Sequence, residues 1–198
     1  MYDGKVRIFR NIYVRKCIEW SKKEISKRKK ILNLIFGAII FILLLPAFLI
    51  LGGHYLDSLL YISGILRGTF YEILGIILVA VGWPLSIWSV YVQYAEGKGT
   101  PVPSAPTRKL ITSGPYKYCR NPMALGTLLL YLGFAFILKL ASMVFLTLLF
   151  FIFLFLFIKL WEEKELEARF GEEYRKYKRR TPFLIPRIWL RTKDHDGE

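Results

Sequence analysis

Cysteine and histidine are scarce in this chain, and so is negative charge. The two cysteines, Cys17 and Cys119, lie about a hundred positions apart with no metal-ligand spacing around them. Neither a disulfide framework nor a thiolate metal centre is therefore expected. The first thirty residues contain no apolar run long enough for a secretory signal peptide. Only 15 Asp and Glu stand against 29 Lys and Arg, which leaves a formal net charge of +14. Yet 54% of the residues are hydrophobic and 16% aromatic. A chain this apolar and this basic must segregate the two characters along its length, which is a membrane pattern.

Four stretches are apolar enough to cross a hydrocarbon core that takes roughly 20 helical residues. They run from Ile31 to Leu51, Phe70 to Tyr94, Pro122 to Leu138 and Ala141 to Trp161. The third is short, and only Lys139 and Leu140 separate it from the fourth, so the two are expected to form a tight helical hairpin. Pro46 and Pro84 fall inside the first two spans and are expected to kink them. Lys and Arg sort by side. Eleven precede the first span, five lie between the second and third (Lys98, Arg108, Lys109, Lys117, Arg120), and ten follow Trp161. The other side has only Arg67 and Lys139. The positive-inside rule then places both termini and the second loop in the cytosol. Lys159 lies near the cytosolic end of the fourth span, where it can snorkel.

The expected fold is all-α and integral to the membrane, a multi-pass protein of about four transmembrane helices. Residues 1–30 form a basic amphipathic segment, expected to be an interfacial helix on an anionic leaflet. Residues 31–94 hold the first two spans, and 95–198 a half with the Pro-rich loop, the hairpin and a cytosolic C-terminal helix and tail. The positive charge lies where membrane topology already requires it, so no nucleic-acid partner is implied.

Two segments are too specific for linkers. From Gly97 to Gly126 the chain reads GKGTPVPSAPTRKLITSGPYKYCRNPMALG. Pro101, Pro103 and Pro106 forbid a regular helix there and favour a stiff, extended loop. Gly114 and Pro115 mark a turn, Asn121 suits an N-cap, and Pro122 suits the first helical turn. Tyr116, Tyr118, Arg120 and Asn121 are thus delivered to the mouth of a membrane helix, whose unpaired N–H groups favour an anion. Gly126 and Gly133, seven apart, open one face of that helix to a neighbour or a ligand. The second segment is WEEKELEARFGEEYRKYKRR. Leu166, Phe170, Tyr174 and Tyr177 form one stripe on a helix leaving the membrane. Glu162 and Glu163 stand at the boundary, and Glu165 with Arg169 and Glu172 with Lys176 are candidate helical ion pairs. Since Lys159 and Glu163 are one turn apart, Glu163 is expected to dominate the pair of acids.

The segment GPYKYCRNPMALG, the helical hairpin, the paired acids, LEARFGEEYRKY and a terminal PFLIPR together resemble the isoprenylcysteine carboxyl methyltransferase and phospholipid methyltransferase group of membrane enzymes. The resemblance runs from Gln93 to Arg187. It implies S-adenosylmethionine as cofactor, a lipophilic methyl acceptor and no metal. It also implies catalytic roles for Arg120 and Asn121 and a cofactor pocket lined by Tyr116, Asn121, Pro122, Met123, Ala124, Gly126, Glu162 and Glu163. Gln93 and the strip Arg108, Lys109, Leu110 and Ile111 correspond to further cofactor contacts, and Lys159 to a residue that binds substrate. One departure is Asn121, which occupies the place of the group's histidine and cannot titrate near neutral pH. Two other classes share parts of the pattern: membrane reductases of sterol-type substrates that use a nicotinamide cofactor, and non-catalytic membrane adaptors or small transporters. Four spans are few for the reductase design, and no ionisable residue sits in mid-span to mark an ion path.

Overall fold

The computed structural model describes residues 11–20, 26–102 and 105–186. The outer parts of the expected N-terminal interfacial helix (1–10 and 21–25), Pro103, and the tail from 187, with Arg187 and His195, lie outside the described residues. Among the described residues seven α-helices follow one another: α1 (11–20), α2 (Lys27–Ala38), α3 (Leu45–Leu59), α4 (Thr69–Ala95), α5 (Pro122–Ile137), α6 (Ala141–Phe157) and α7 (Glu163–Arg180). A π-helical turn over Ile39–Leu44 joins α2 to α3, and another over Ile158–Glu162 joins α6 to α7. No strand occurs among the described residues.

Among the described residues, three continuous helical stretches are long and apolar enough to cross a membrane: Lys27–Leu59, Thr69–Ala95 and Ala141–Arg180. The protein is an all-α integral membrane protein. Large apolar side chains such as Phe48, Leu51, Phe70, Ile76, Phe145 and Phe153 are exposed on these helices, as lipid-facing positions should be. The first helix runs eight residues past the expected end at Leu51. Gly52, Gly53, His54 and Asp57 look like loop composition, yet Gly53 is buried against Met143 of α6, and that packing keeps the segment helical.

The fourth apolar helix, α5, has 16 residues, about 24 Å. It stands at the centre of the bundle. Its Leu130, Tyr131 and Ala135 share a core with Leu49 of α3 and with Met143 and Phe151 of α6. On its other face α5 meets α4 glycine to glycine. A Cβ at Gly82 would stand 2.5 Å from the Gly126 carbonyl oxygen, and one at Gly75 would stand 2.8 Å from that of Gly133. Both helices therefore carry glycines seven apart, and it is the neighbouring helix that fills the open face of α5.

Backbone accounting explains both ends of this packing. Leu45 N–H bonds to Ile40 O in the π register, and the next residue, Pro46, has no N–H to offer Phe41 O. The Tyr131 hydroxyl donates to that carbonyl instead. At the opposite end of the bundle Asp57 is 2% exposed. Its carboxyl oxygens accept from Ala141 N–H at 3.0 Å and Ser142 N–H at 2.8 Å, capping α6 from another helix. Nearby, Lys139 pairs with Glu72 at 2.6 Å.

One expectation needs correction at the basic end. The stripe Leu166, Phe170, Tyr174 and Tyr177 does not ride one straight helix, because Gly171 takes φ 54° and ψ −126° and breaks α7 in two. Nothing lies near the position a Cβ would take there, so it is the backbone conformation that calls for glycine. α1 also packs on the bundle. The Tyr13 ring meets Phe157 edge-on at 5.9 Å, and Cys17 is 1% exposed. The described part of the N-terminal segment is thus docked on the bundle by one face.

Candidate active site

From Ala141 a span of roughly 20 residues is used up near Trp161, so Glu162 and α7 are expected beyond the hydrocarbon. Here the π-helical turn and α7 meet the end of α4, the loop before α5 and the segment after α7.

The loop is held in place by its own backbone and by α7. Arg108 N–H bonds to Gly97 O at 2.7 Å, and Thr100 N–H bonds to Ala105 O at 2.7 Å. Ile111 packs with Val92 and Tyr116 in a small buried cluster. Leu110 is half-buried and Lys109 exposed, so of the strip 108–111 it is Ile111 that contributes a wall. Arg169 donates to the Thr107 carbonyl and pairs with Glu165 at 2.5 Å, which ties the loop to α7. The Gly114–Lys117 turn then presents Tyr116, whose hydroxyl accepts from the Gln93 side-chain amide and whose carbonyl accepts from the Tyr177 hydroxyl at 2.7 Å.

Arg120 and Asn121 are fixed by the segment after α7. Arg120 N–H bonds to Pro182 O at 2.9 Å, and the Asn121 side-chain amide donates to Phe183 O at 2.9 Å. Asn121 does occupy the N-cap position of α5, but its side chain makes no cap bond. That corrects the expected capping role: the amide is drawn to Phe183, and the first-turn N–H groups of Met123 and Ala124 keep no side-chain cap. Pro122 and Ala124 are buried and Met123 half-buried. Gly126 lies against Ser86 and Gly82, inside the α4–α5 contact.

The paired acids divide sharply. Glu163 is 4% exposed and doubly paired, through Oε1 to Arg120 at 2.5 Å and through Oε2 to Lys178 at 2.8 Å. Lys178 also reaches Glu167 at 2.9 Å. The Glu162 side chain makes no hydrogen bond or ion pair among the described residues. Burial, reinforced by the Glu165 and Glu163 carboxylates and opposed by Arg169, pushes its carboxyl up to about 7. Arg120 is also incompletely satisfied. Its guanidinium lies over the Phe183 ring at 5.6 Å and within 3.5 Å of the Tyr174 hydroxyl, but Nε is buried with no partner.

A cavity of about 440 Å³ opens on the far side of this ionic cluster, lined by Arg120, Lys159, Glu163 and Lys178 together with Ile152, Phe155, Leu156 and Phe183. Lys159 and Glu163 share it, as their one-turn spacing requires. The structure thus brings together Gln93, Tyr116, Arg120, Asn121, Glu162, Glu163 and Lys159, and leaves Lys109 at the surface. Sequence reasoning missed Lys178, Arg169 and Phe183 as site residues. The run of cations after Gly171 hinted at Lys178, the proline-flanked aromatic at 183 at Phe183, and the expected Glu165–Arg169 pair at Arg169. The expected Glu165–Arg169 pair forms, whereas Glu172 pairs with Arg175 at 2.7 Å in place of Lys176.

Three features of this site are left open to a ligand: an unpaired acid, an orphaned guanidinium N–H and an uncapped helix N-terminus. Fold and site together define a helical membrane protein with a polar, aromatic site at the end of its bundle. Residues 70–173, more than half the chain, match the phospholipid methyltransferase family, and the chain belongs to that family. No curated protein matches the chain. Membership implies methyl transfer to a lipid-type substrate. The matched segment includes every site residue from Gln93 to Glu163, while Tyr174, Tyr177, Lys178, Phe183 and α1 lie outside it.

Proposed function

We propose that the chain transfers the methyl group of S-adenosylmethionine to a lipophilic acceptor at the basic end of the bundle, and that this end and both termini face the cytosol. The observation that carries the reading is Glu162, a crowded acid with no cation of its own, set beside Tyr116 in a family of methyltransferases. Glu162 takes the cofactor's ammonium or its ribose hydroxyls. Glu163, already committed to Arg120 and Lys178, fixes the guanidinium. Arg120 and the first-turn N–H groups of Met123 and Ala124 suit the carboxylate, where both charge and helix dipole favour an anion. Gln93, Tyr116 and Ile111 form the wall opposite, and the 97–121 loop covers the approach from water.

Bound S-adenosylmethionine supplies an electrophilic methyl on a sulfonium. The protein's own residues have three tasks: to orient the donor, to admit the acceptor from the lipid side, and to keep water out. No proton has to be moved by Asn121, whose amide is held by Phe183 O. A neutral amide in that position suits an acceptor that arrives already nucleophilic, such as a carboxylate, or an amine deprotonated before binding.

Purified protein in nanodiscs made from a total membrane lipid extract, incubated with methyl-labelled S-adenosylmethionine, should move label into the organic phase. The Glu162→Gln variant should lose most of that transfer while keeping the wild-type melting temperature. Label in the organic phase no higher than with heat-denatured protein would overturn the assignment.

A further inference from the structure

We infer that α1 completes the site: Tyr13 and Cys17 form a neutral wall over Glu162, and Tyr13 is a positioning residue that keeps this acid out of water and without a cation. The inference deepens the methyltransferase reading and rests on it for what Glu162 receives, though not for the wall itself.

The face that α1 turns inward is set by its sequence. Tyr13, Cys17 and Trp20 stand at four- and three-residue steps on one side of the helix; Cys17 is 1% exposed and the other two are half-buried. Asn11, Arg15, Lys16 and Glu19 are exposed. The Tyr13 ring meets Phe157 at 5.9 Å, and Phe157 stacks on Trp161 at 5.7 Å and 15°. Those two rings bracket the π-helical turn that ends at Glu162, so α1 braces the turn that presents the acid. The Tyr13 hydroxyl and the Cys17 thiol are hydrogen-bonded to each other and lie within electrostatic reach of both Glu162 and Glu165. A helix that only rested on the leaflet would have no reason to seat its thiol beside two carboxylates. α1 lies outside residues 70–173, so the family match does not supply the wall.

What this wall lacks is charge. The described cations of α1, Arg15 and Lys16, are both exposed. Burial, with the neighbouring carboxylates adding to it, pushes the Tyr13 hydroxyl and the Cys17 thiol up, so both stay protonated near neutral pH. Glu162 is faced by Glu163, Glu165, Arg169 and Tyr174 of α7, by Tyr116 of the turn before α5, and by Tyr13 and Cys17 of α1. Arg169, the one cation among these, is committed to Glu165 and to the Thr107 carbonyl. An acid covered by a phenol and a thiol is desolvated but not neutralised, which leaves it to a cation that arrives from outside.

Infrared titration of the full chain in nanodiscs tests this with no ligand present. Each protein is paired with the same protein carrying Glu162→Gln, and the difference follows the carboxyl stretch of Glu162. The wild type should titrate at about 7, and Tyr13→Phe, which keeps the ring, should match it. Tyr13→Ala lets water in and should bring the titration down by about 1. Tyr13→Lys sets an ammonium beside the acid and should lower it at least as far. Calorimetry of the demethylated cofactor product reads the consequence. Affinity should rise about tenfold from pH 6 to pH 8 in the wild type and in Tyr13→Phe, but only about twofold in Tyr13→Ala. Tyr13→Lys should bind about tenfold more weakly than the wild type at pH 8. A Glu162 titration near 7 in both Tyr13→Ala and Tyr13→Lys would overturn the inference, even if both melt at lower temperature, because that is the mark of a helix that only packs. A fall as large in Tyr13→Phe as in Tyr13→Ala would overturn it too. Absence of product binding in the wild type would strike the methyltransferase reading alone, and the titration would still decide the wall.

Discussion

Replacing Asp57 probes the least expected bond in the bundle. Asp57 sits 84 positions before Ala141, yet its carboxyl oxygens hold the first two N–H groups of α6, at 3.0 and 2.8 Å, and it is 2% exposed. Asp57→Ala removes an N-cap worth about 0.5–2 kcal/mol. It also leaves two buried donors unsatisfied, at about 1–3 kcal/mol each when nothing replaces the partner. Water reaching the end of the bundle recovers part of that, so a net loss of roughly 2–4 kcal/mol is expected. Asp57→Asn keeps one acceptor oxygen and loses the favourable interaction with the helix dipole, so about half that loss is expected. Reversible unfolding of the purified protein in mixed micelles, followed by far-UV circular dichroism as sodium dodecyl sulfate is added, measures both. Cofactor-product affinity should not change, since the cap stands at the opposite end of the bundle from Glu162. A loss below about 0.5 kcal/mol for Asp57→Ala would refute the reasoning.

The α4–α5 contact gives a second test: Gly82→Val puts side-chain atoms where the Gly126 carbonyl oxygen would lie 2.5 Å from the new Cβ, and should cost about 1–3 kcal/mol or more through overpacking. Ala80→Val, at an exposed position of the same helix, makes a useful control in the same assay. Gly171→Ala should cost about 1–3 kcal/mol for its positive φ alone, since no atom blocks the new methyl; a neutral result would mean that α7 runs straight. Cysteines placed at exposed Ser58 and Thr112 should be labelled by an impermeant maleimide from opposite sides of a sealed vesicle, Thr112 from the cytosolic side, and labelling of both from one side would contradict the proposed topology.

The spans were legible because bilayer thickness imposes a length that composition records directly. The hairpin followed from having only two residues to turn in. The site was half legible. Tyr116, Arg120, Asn121 and the paired acids share motifs dense enough to read locally, and the one-turn relation of Lys159 to Glu163 correctly placed both on one cavity. What could not be read was which partner each acid would find. Lys178 reaches Glu163 only because Gly171 redirects the second half of α7, and a lone glycine in a helical pattern does not announce a break. Asp57 was invisible for a related reason: its partners are backbone groups of a distant helix. Gly126 and Gly133 pointed to a close neighbour, but naming α4 required matching them with Gly75 and Gly82 across a packing that sequence spacing alone does not pair. Asn121 was read as a cap from its position, and Phe183 O, 62 residues away, took its amide instead.

The central claim is that Glu162 is the acid that receives the cofactor. Titration calorimetry of the demethylated cofactor product into wild type, Glu162→Gln and Glu163→Gln, at pH 6 and pH 8, tests it most directly. A carboxyl whose pKa is pushed up to about 7 is mostly protonated at pH 6 and mostly ionised at pH 8. Wild-type affinity should therefore rise about tenfold between the two, with proton release on binding at the lower pH. Glu162→Gln should bind roughly ten- to a hundredfold more weakly at pH 8 and lose the pH dependence, whereas Glu163→Gln should keep the pH dependence and melt at lower temperature, having left Arg120 unpaired. Affinity that is independent of pH in the wild type and unchanged in Glu162→Gln would contradict the account.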